Sequence, residues 1–133
     1  MPAAIRVVVA YIEHGDRVLI TQRRAEAVLP LFWEFPGGRV VGDESDAAAL
    51  QRAVARRLGV KIAVGEERAS IVHDYERYSV TLVVYRAQLL PRQQLRPSRV
   101  ADVRWVPTSE IARYPFAPAD RSTVAQLLRL DDD

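Results

Sequence analysis

A chain of 133 residues that is 49% hydrophobic carries enough apolar material for one core and too little length for a second, so residues 1–133 are expected to form a single domain. The absence of cysteine excludes disulfides, thiolate metal sites and cysteine nucleophiles. A formal charge of +2 with an acidic Asp131–Asp133 tail argues against nucleic acid as the partner, and no apolar run approaches the ~20 residues that span a bilayer.

Met1–Arg6 lacks the basic, apolar, small-residue order of a secretion signal, so a cytoplasmic location is expected. Ile5–Ile12 is a β-branched and aliphatic run suited to a strand buried on both faces. His14-Gly15-Asp16 supplies a turn, with His14 in it, and Arg17–Gln22 returns as the hairpin partner. An arginine pair, Arg23-Arg24, then leads through Leu29-Pro30-Leu31 to Trp33-Glu34-Phe35-Pro36-Gly37-Gly38.

The best-marked element follows an acidic turn at Asp43-Glu44. Ser45 is an N-cap, Asp46 places a carboxylate in the first turn, and Gly59 after Leu58 is a left-handed stop. Ala47, Leu50, Val54 and Leu58 recur at helical spacing and predict the buried stripe, leaving Arg52, Ala53, Arg56 and Arg57 on a broad side away from it.

Beyond the helix, Lys61–Ala69 reads as a polar connection around Gly65-Glu66-Glu67. Ser70–His73 and Ser79–Leu90 read as two strands, the second alternating and then wholly apolar. Pro91–Ser98 is an exposed loop, Val100–Pro107 a late strand, and Ser109-Glu110-Ile111 a short helical turn. Asp120 caps a closing helix that buries Val124, Leu127 and Leu128.

Gly38, five residues, Glu44, seven residues, Arg52 and then Gly59-Val60 resemble the Nudix box, G-x5-E-x7-R-E-U-x-E-E-x-G-U with U aliphatic. The resemblance extends to the MutT-like, 8-oxo-dGTP pyrophosphatase-like branch in the arginine pair, the W-E-F-P-G-G entry, the late R-W-V strand and the closing P-A-D segment. It implies a Nudix α/β/α sandwich, an α/β (α+β) fold with a mixed sheet, the box helix on one face and the C-terminal helix on the other.

In that family the three glutamates after the arginine hold the divalent metal that carries the pyrophosphate. Here those positions are Ala53, Arg56 and Arg57, and a further acidic position on the late strand is Arg104. Magnesium and manganese want oxygen ligands, whereas alanine offers none and arginine offers only donors and positive charge. No metal site and no cofactor are therefore expected, with Glu44 the residual candidate ligand and with Glu44 and Asp102 the remaining candidate catalytic carboxylates.

Arg39, Arg52, Arg56 and Arg57 are instead the candidate phosphate binders, since guanidinium groups take phosphate oxygens bidentately. By the resemblance Arg24, His73, Tyr75 and Asp120 would line the base pocket, with Asp120 in place of an asparagine that reads the guanine edge. Three functions follow as expectations. One is a nucleotide-binding protein with little or no turnover. Another is an active nucleoside triphosphate pyrophosphohydrolase drawing Mg2+ or Mn2+ onto Asp43, Glu44, Glu34 and Asp102. The third is a scaffold or interaction protein. A small-molecule nucleotide is the expected partner, membrane and nucleic acid are not, and a homodimer remains open.

Overall fold

The computed structural model describes residues 3–27 and 29–118. The predicted closing helix and Asp120 lie outside the described residues.

The organising strand is β1 (Ala3–His14), which pairs in parallel with β6 (Tyr78–Leu89) from Ala3↔Tyr78 to Ile12↔Ala87. At its far end β1 turns into β2 (Arg17–Gln22) through a hairpin closed at His14↔Arg17, where Gly15 takes a left-handed φ of 62°. Three more strands extend these edges. The short β3 (Trp33–Glu34) and β7 (Asp102–Pro107) both run antiparallel to β2, and β5 (Ile62–Asp74) runs antiparallel to β6. A seventh, β4 (Gly37–Arg39), pairs antiparallel with β1 over Val7–Val9. Helix α1 (Asp46–Leu58) covers one face of this mixed sheet, and a 3-10 turn over Thr108–Arg113 follows β7.

Strand alternation sorts the apolar side chains into two cores. Val8, Ala10 and Ile12 of β1, Leu19 of β2 and Val83 of β6 pack under α1 against Leu50, Val54 and Leu58. Val9 and Tyr11, Val18 and Ile20, and Leu82 and Val84 point the other way and meet Trp33, Phe35 and Phe116. The expectation of a first strand buried on both faces therefore holds.

Two details of the sequence reading need correction. The helix buries Ala49, Leu50, Ala53, Val54 and Leu58, while Ala47 is exposed. The stripe thus starts one turn position later, and Ala53 belongs to the packed side, because the Gly37-Gly38 strand lies close enough to touch it. A Cβ placed on Gly38 would sit 3.0 Å from that of Ala53.

The second correction concerns Lys61–Ala69: all of it but Lys61 belongs to β5, so it is strand and not a connection. Only one face of this edge strand is covered, and its register with β6 shifts between Val64, Glu67 and Ala69. The bulge breaks the period-two pattern, so a real strand reads as a polar loop. Among the described residues, no helix is long and apolar enough to cross a membrane.

Candidate functional site

The turn before α1 is built by a clasp. Glu44 accepts a bidentate pair from Arg52, at 2.7 Å from Nε and 3.0 Å from one terminal nitrogen, and also the Val41 N–H at 2.9 Å. Arg52 in turn donates to the carbonyl of Arg39 at 2.9 Å, tying the strand that leaves Gly38 to the middle of the helix. Arg52 and the Val41 amide both favour the ionised carboxylate, so the Glu44 pKa is lowered and that of Arg52 raised.

A second clasp fixes the helix start. Ser45 caps it by accepting from Ala48 N–H at 3.1 Å, and Asp46 receives Arg6 at 2.9 and 2.6 Å and the Tyr85 hydroxyl at 2.5 Å. These donors, Arg6 first, bring the Asp46 pKa down to about 2. The C-terminal end is closed by Gly59, left-handed at φ 68°, and by the 91–101 loop, whose Arg96 and Ser98 amides donate to the carbonyls of Leu58 and Arg57.

Held this way, α1 and β4 form the wall of a cleft of about 310 Å³. Arg39, Arg52, Arg56 and Arg57, the phosphate candidates of the sequence, line it from the box. Arg23, Arg24 and Arg99 line it from the surrounding loops. Three of these seven guanidinium groups have a carboxylate of their own nearby: Arg52 has Glu44, Arg24 has Glu26 at 3.5 Å, and Arg23 has Glu34 at 3.1 Å. Arg57 shares Glu34 with Arg23 at the longer distance of 3.8 Å. Arg39, Arg56 and Arg99 make no ion pair with any described residue.

A larger cavity of about 710 Å³ opens on the opposite side of the sheet from α1 and meets the cleft at Arg23, Gly38, Arg39 and Arg57. Its floor is the apolar face of β1 and β6, with Val9, Val80 and Leu82, and its walls are Phe35, Tyr75 and Tyr78. The two tyrosine rings stack at 5.0 Å with 26° between their planes. An apolar chamber with aromatic walls beside a cationic one suits a ligand with a flat ring at one end and anionic charge at the other.

The remaining sequence candidates fall differently. Tyr75 is on the cavity wall, while His73 packs edge-on against it at 4.4 Å and stands off that wall. Of the arginine pair, Arg24 lines only the cationic cleft and Arg23 lines both spaces. Asp102 is occupied by its own neighbours, accepting from the Val103 amide at 2.8 Å and from Arg104 at 3.1 Å. Arg104 lies over the Trp33 ring at 5.3 Å, and the Tyr114 hydroxyl and Asp102 raise its pKa.

Sequence reasoning did not single out Arg99 or Tyr78. Arg99 sits beside the helix only because Ser98 is bonded to its last turn, a contact between residues about forty positions apart that no local pattern records. Tyr78 is one step before the strand that was recognised.

A NUDIX domain family model matches residues 7–126. The chain belongs to the Nudix family. Among curated relatives, a CTP pyrophosphohydrolase of Escherichia coli K12 is 36% identical over 118 residues, covering 87% of this chain and 85% of that protein. A putative 8-oxo-dGTP diphosphatase 2 of Mycobacterium tuberculosis is 35% identical, covering 92% and 87%. The E. coli ORF135 protein superposes with a TM-score of 0.83 at 31% identity over 98% of this chain and 92% of that one. A MutT protein from Methanosarcina mazei Go1 superposes with a TM-score of 0.88 at 19% identity over 99% and 98%, a likeness of fold.

The MutT-like assignment and the mixed α+β architecture read from the sequence therefore stand. A Nudix fold implies a divalent ion on the box helix, yet the positions there hold Ala53, Arg56 and Arg57, none of which has an oxygen ligand. Among the described residues, no three His, Asp or Glu side chains gather where an ion could be held.

Proposed function

We propose that this Nudix chain binds a nucleotide by its phosphates directly on arginine, with little or no pyrophosphohydrolase turnover. The observation that carries the reading is the adjoining pair of chambers, one walled by tyrosine and phenylalanine and the other by seven arginines, sharing Arg23, Arg39 and Arg57 at their junction. A base stacked near Tyr75 and Tyr78 would direct its phosphates past Gly38 toward Arg56.

The side chains do not fit the family's metal. Guanidinium groups at the ligand positions repel a dication, and the nearby carboxylates each have a cationic partner: Glu44 has Arg52, and Glu34 has Arg23. Arginine can take over the phosphate-holding part of the metal's work through charge-assisted pairs, but it does not lower the pKa of an attacking water as a metal does. Binding without efficient hydrolysis is what such an exchange leaves.

The test combines two measurements on the purified protein. Melting of the chain with CTP and with 8-oxo-dGTP in EDTA should show a rise, and the same nucleotides with Mg2+ or Mn2+ should release no pyrophosphate above background. A flat melting temperature with both nucleotides would sink the proposal, as would metal-dependent turnover at the rate of an ordinary hydrolase.

The relatives favour a second reading, because both are named for pyrophosphate or diphosphate hydrolysis. Under it Glu34, Glu44 and Asp102 would have to exchange their arginine partners for metal, with Asp43 as a further ligand. Turnover that disappears in EDTA and in Glu34→Gln would support it.

A further inference from the structure

The charge of the cationic cleft supports a step that rests on the phosphate-binding reading and goes beyond it. Among the described residues, Arg39, Arg56 and Arg99 line the cleft without an ion-pair partner, and Arg57 has only a 3.8 Å contact to Glu34, so the cleft keeps a marked excess of positive charge. A nucleoside triphosphate without metal carries about four negative charges near neutral pH, since the terminal phosphate has a second pKa near 6. Its complex with Mg2+ carries about two, because the ion's own charge has to be counted.

We infer that the cleft favours the more highly charged, metal-free polyphosphate, so that divalent cations compete with the protein for its ligand. Electrostatic attraction is one part of the reason. The other is that magnesium binds phosphate oxygens as a hard cation, and these are the oxygens that Arg39, Arg56 and Arg57 would engage bidentately. A magnesium ion on the phosphates also approaches guanidinium groups, which repel it. For a protein whose box helix presents arginine, free divalent ion becomes a regulator that releases the nucleotide.

The geometry favours a long anion over a single phosphate. Arg39 and Arg57 stand at the junction with the aromatic chamber, and Arg52, Arg56 and Arg99 line the cleft beyond it. One phosphate at the junction would leave Arg56 and Arg99 without an anion, whereas a triphosphate chain extends from the junction toward them.

The experiment is calorimetric titration of the whole chain with CTP, inorganic tripolyphosphate and inorganic phosphate, in EDTA and at increasing Mg2+. Sodium chloride holds ionic strength constant, because phosphate contacts weaken with salt regardless of metal. CTP and tripolyphosphate should bind in EDTA, and saturating Mg2+ should weaken both at least ten-fold. Phosphate should bind far more weakly than either in every buffer. Arg56→Ala should weaken binding in EDTA and reduce the magnesium effect with it.

If CTP binds in EDTA and Mg2+ leaves its affinity unchanged or improves it, the competition inference falls while metal-free binding stands. If CTP binds only with Mg2+, or under neither condition, both fall.

Discussion

Replacing Arg56 and Arg57 together by alanine removes two guanidinium groups from the cleft and leaves the fold nearly untouched. Arg56 is exposed and has no described acidic partner, and Arg57 reaches Glu34 only at 3.8 Å. A hydrogen bond to a charged group contributes about 1.5–3 kcal/mol, so Arg56 is assigned ~2 kcal/mol of phosphate binding, and Arg57, already shared with Glu34, about 1. A loss of ~3 kcal/mol is roughly a hundred-fold in Kd.

Ligand at one hundred times the parent Kd stabilises by about 2.7 kcal/mol, and the same concentration then stabilises the double variant by only ~0.4. With an unfolding entropy of about 2.1 cal/mol/K per residue, the melting temperature should rise by about 10 °C for the parent and about 1.5 °C for the variant. Without ligand the two should melt within a few degrees of each other. Alanine is a good helix former, and the loss is confined to favourable charge in the last turn.

Differential scanning fluorimetry in EDTA with CTP is the assay. Arg113→Ala is the control, since Arg113 is 77% exposed and paired with Glu110 outside both chambers. A variant that keeps the full rise would show that the phosphates do not lie on α1. An equal loss in the Arg113 variant would show that the effect is net charge alone.

Other outcomes follow from particular contacts. Tyr75→Ala should weaken CTP about ten-fold by titration while leaving inorganic tripolyphosphate unchanged, because a stacked base is worth ~1–3 kcal/mol and the anion has none. Ala53→Glu, Arg56→Glu and Arg57→Glu combined should create measurable Mn2+ affinity by calorimetry and abolish CTP binding in EDTA. A triple variant that still binds CTP without metal would contradict the direct-phosphate model. Gly37→Ala should lower the melting temperature by about 10 °C or prevent folding, because overpacking a backbone contact costs ~3 kcal/mol. Its Cβ would fall 2.1 Å from the Val8 carbonyl oxygen, whereas Gly38→Ala meets only a side-chain carbon at 3.0 Å and should cost much less. Asp46 has a folded pKa of about 2, below its unfolded value, so its contribution is present above pH ~4 and lost as pH falls through 2. Arg6 is 46% exposed, which screens that contribution to about 1 kcal/mol. Asp46→Asn should therefore lower the urea midpoint at pH 6, and the difference should vanish near pH 2.

The helix was legible because its signals are local. Ser45 caps within three residues, and Gly59 needs only its own left-handed φ. The alternation of β1 was legible for the same reason. What stayed hidden depends on partners distant in the chain. Ala53 is buried because β4 passes over it, and residues 62–69 form a strand because β6 is there to pair with them despite a bulge. The site divides the same way: Arg56 and Arg57 lie on the helix whose spacing predicts them, Arg99 arrives through a loop contact, and of the adjacent Arg23 and Arg24 the first reaches both chambers and the second only the cleft, which no local pattern records.

This separation also bears on why the box matches its family at some positions and departs at others. Gly38 lies on β4 against Ala53, Glu44 and Arg52 close the turn, and Gly59 and Val60 end the helix and enter the core. Each matching residue is thus held by contacts inside the fold, and the chain needs it whether or not any metal is bound. Ala53, Arg56 and Arg57 border the cleft, and Arg56 has no described ion-pair partner whose loss would unfold the helix. The charge of the cleft can therefore change sign while the frame around it persists, and a match to the frame alone does not distinguish a helix that holds a cation from one that replaces it.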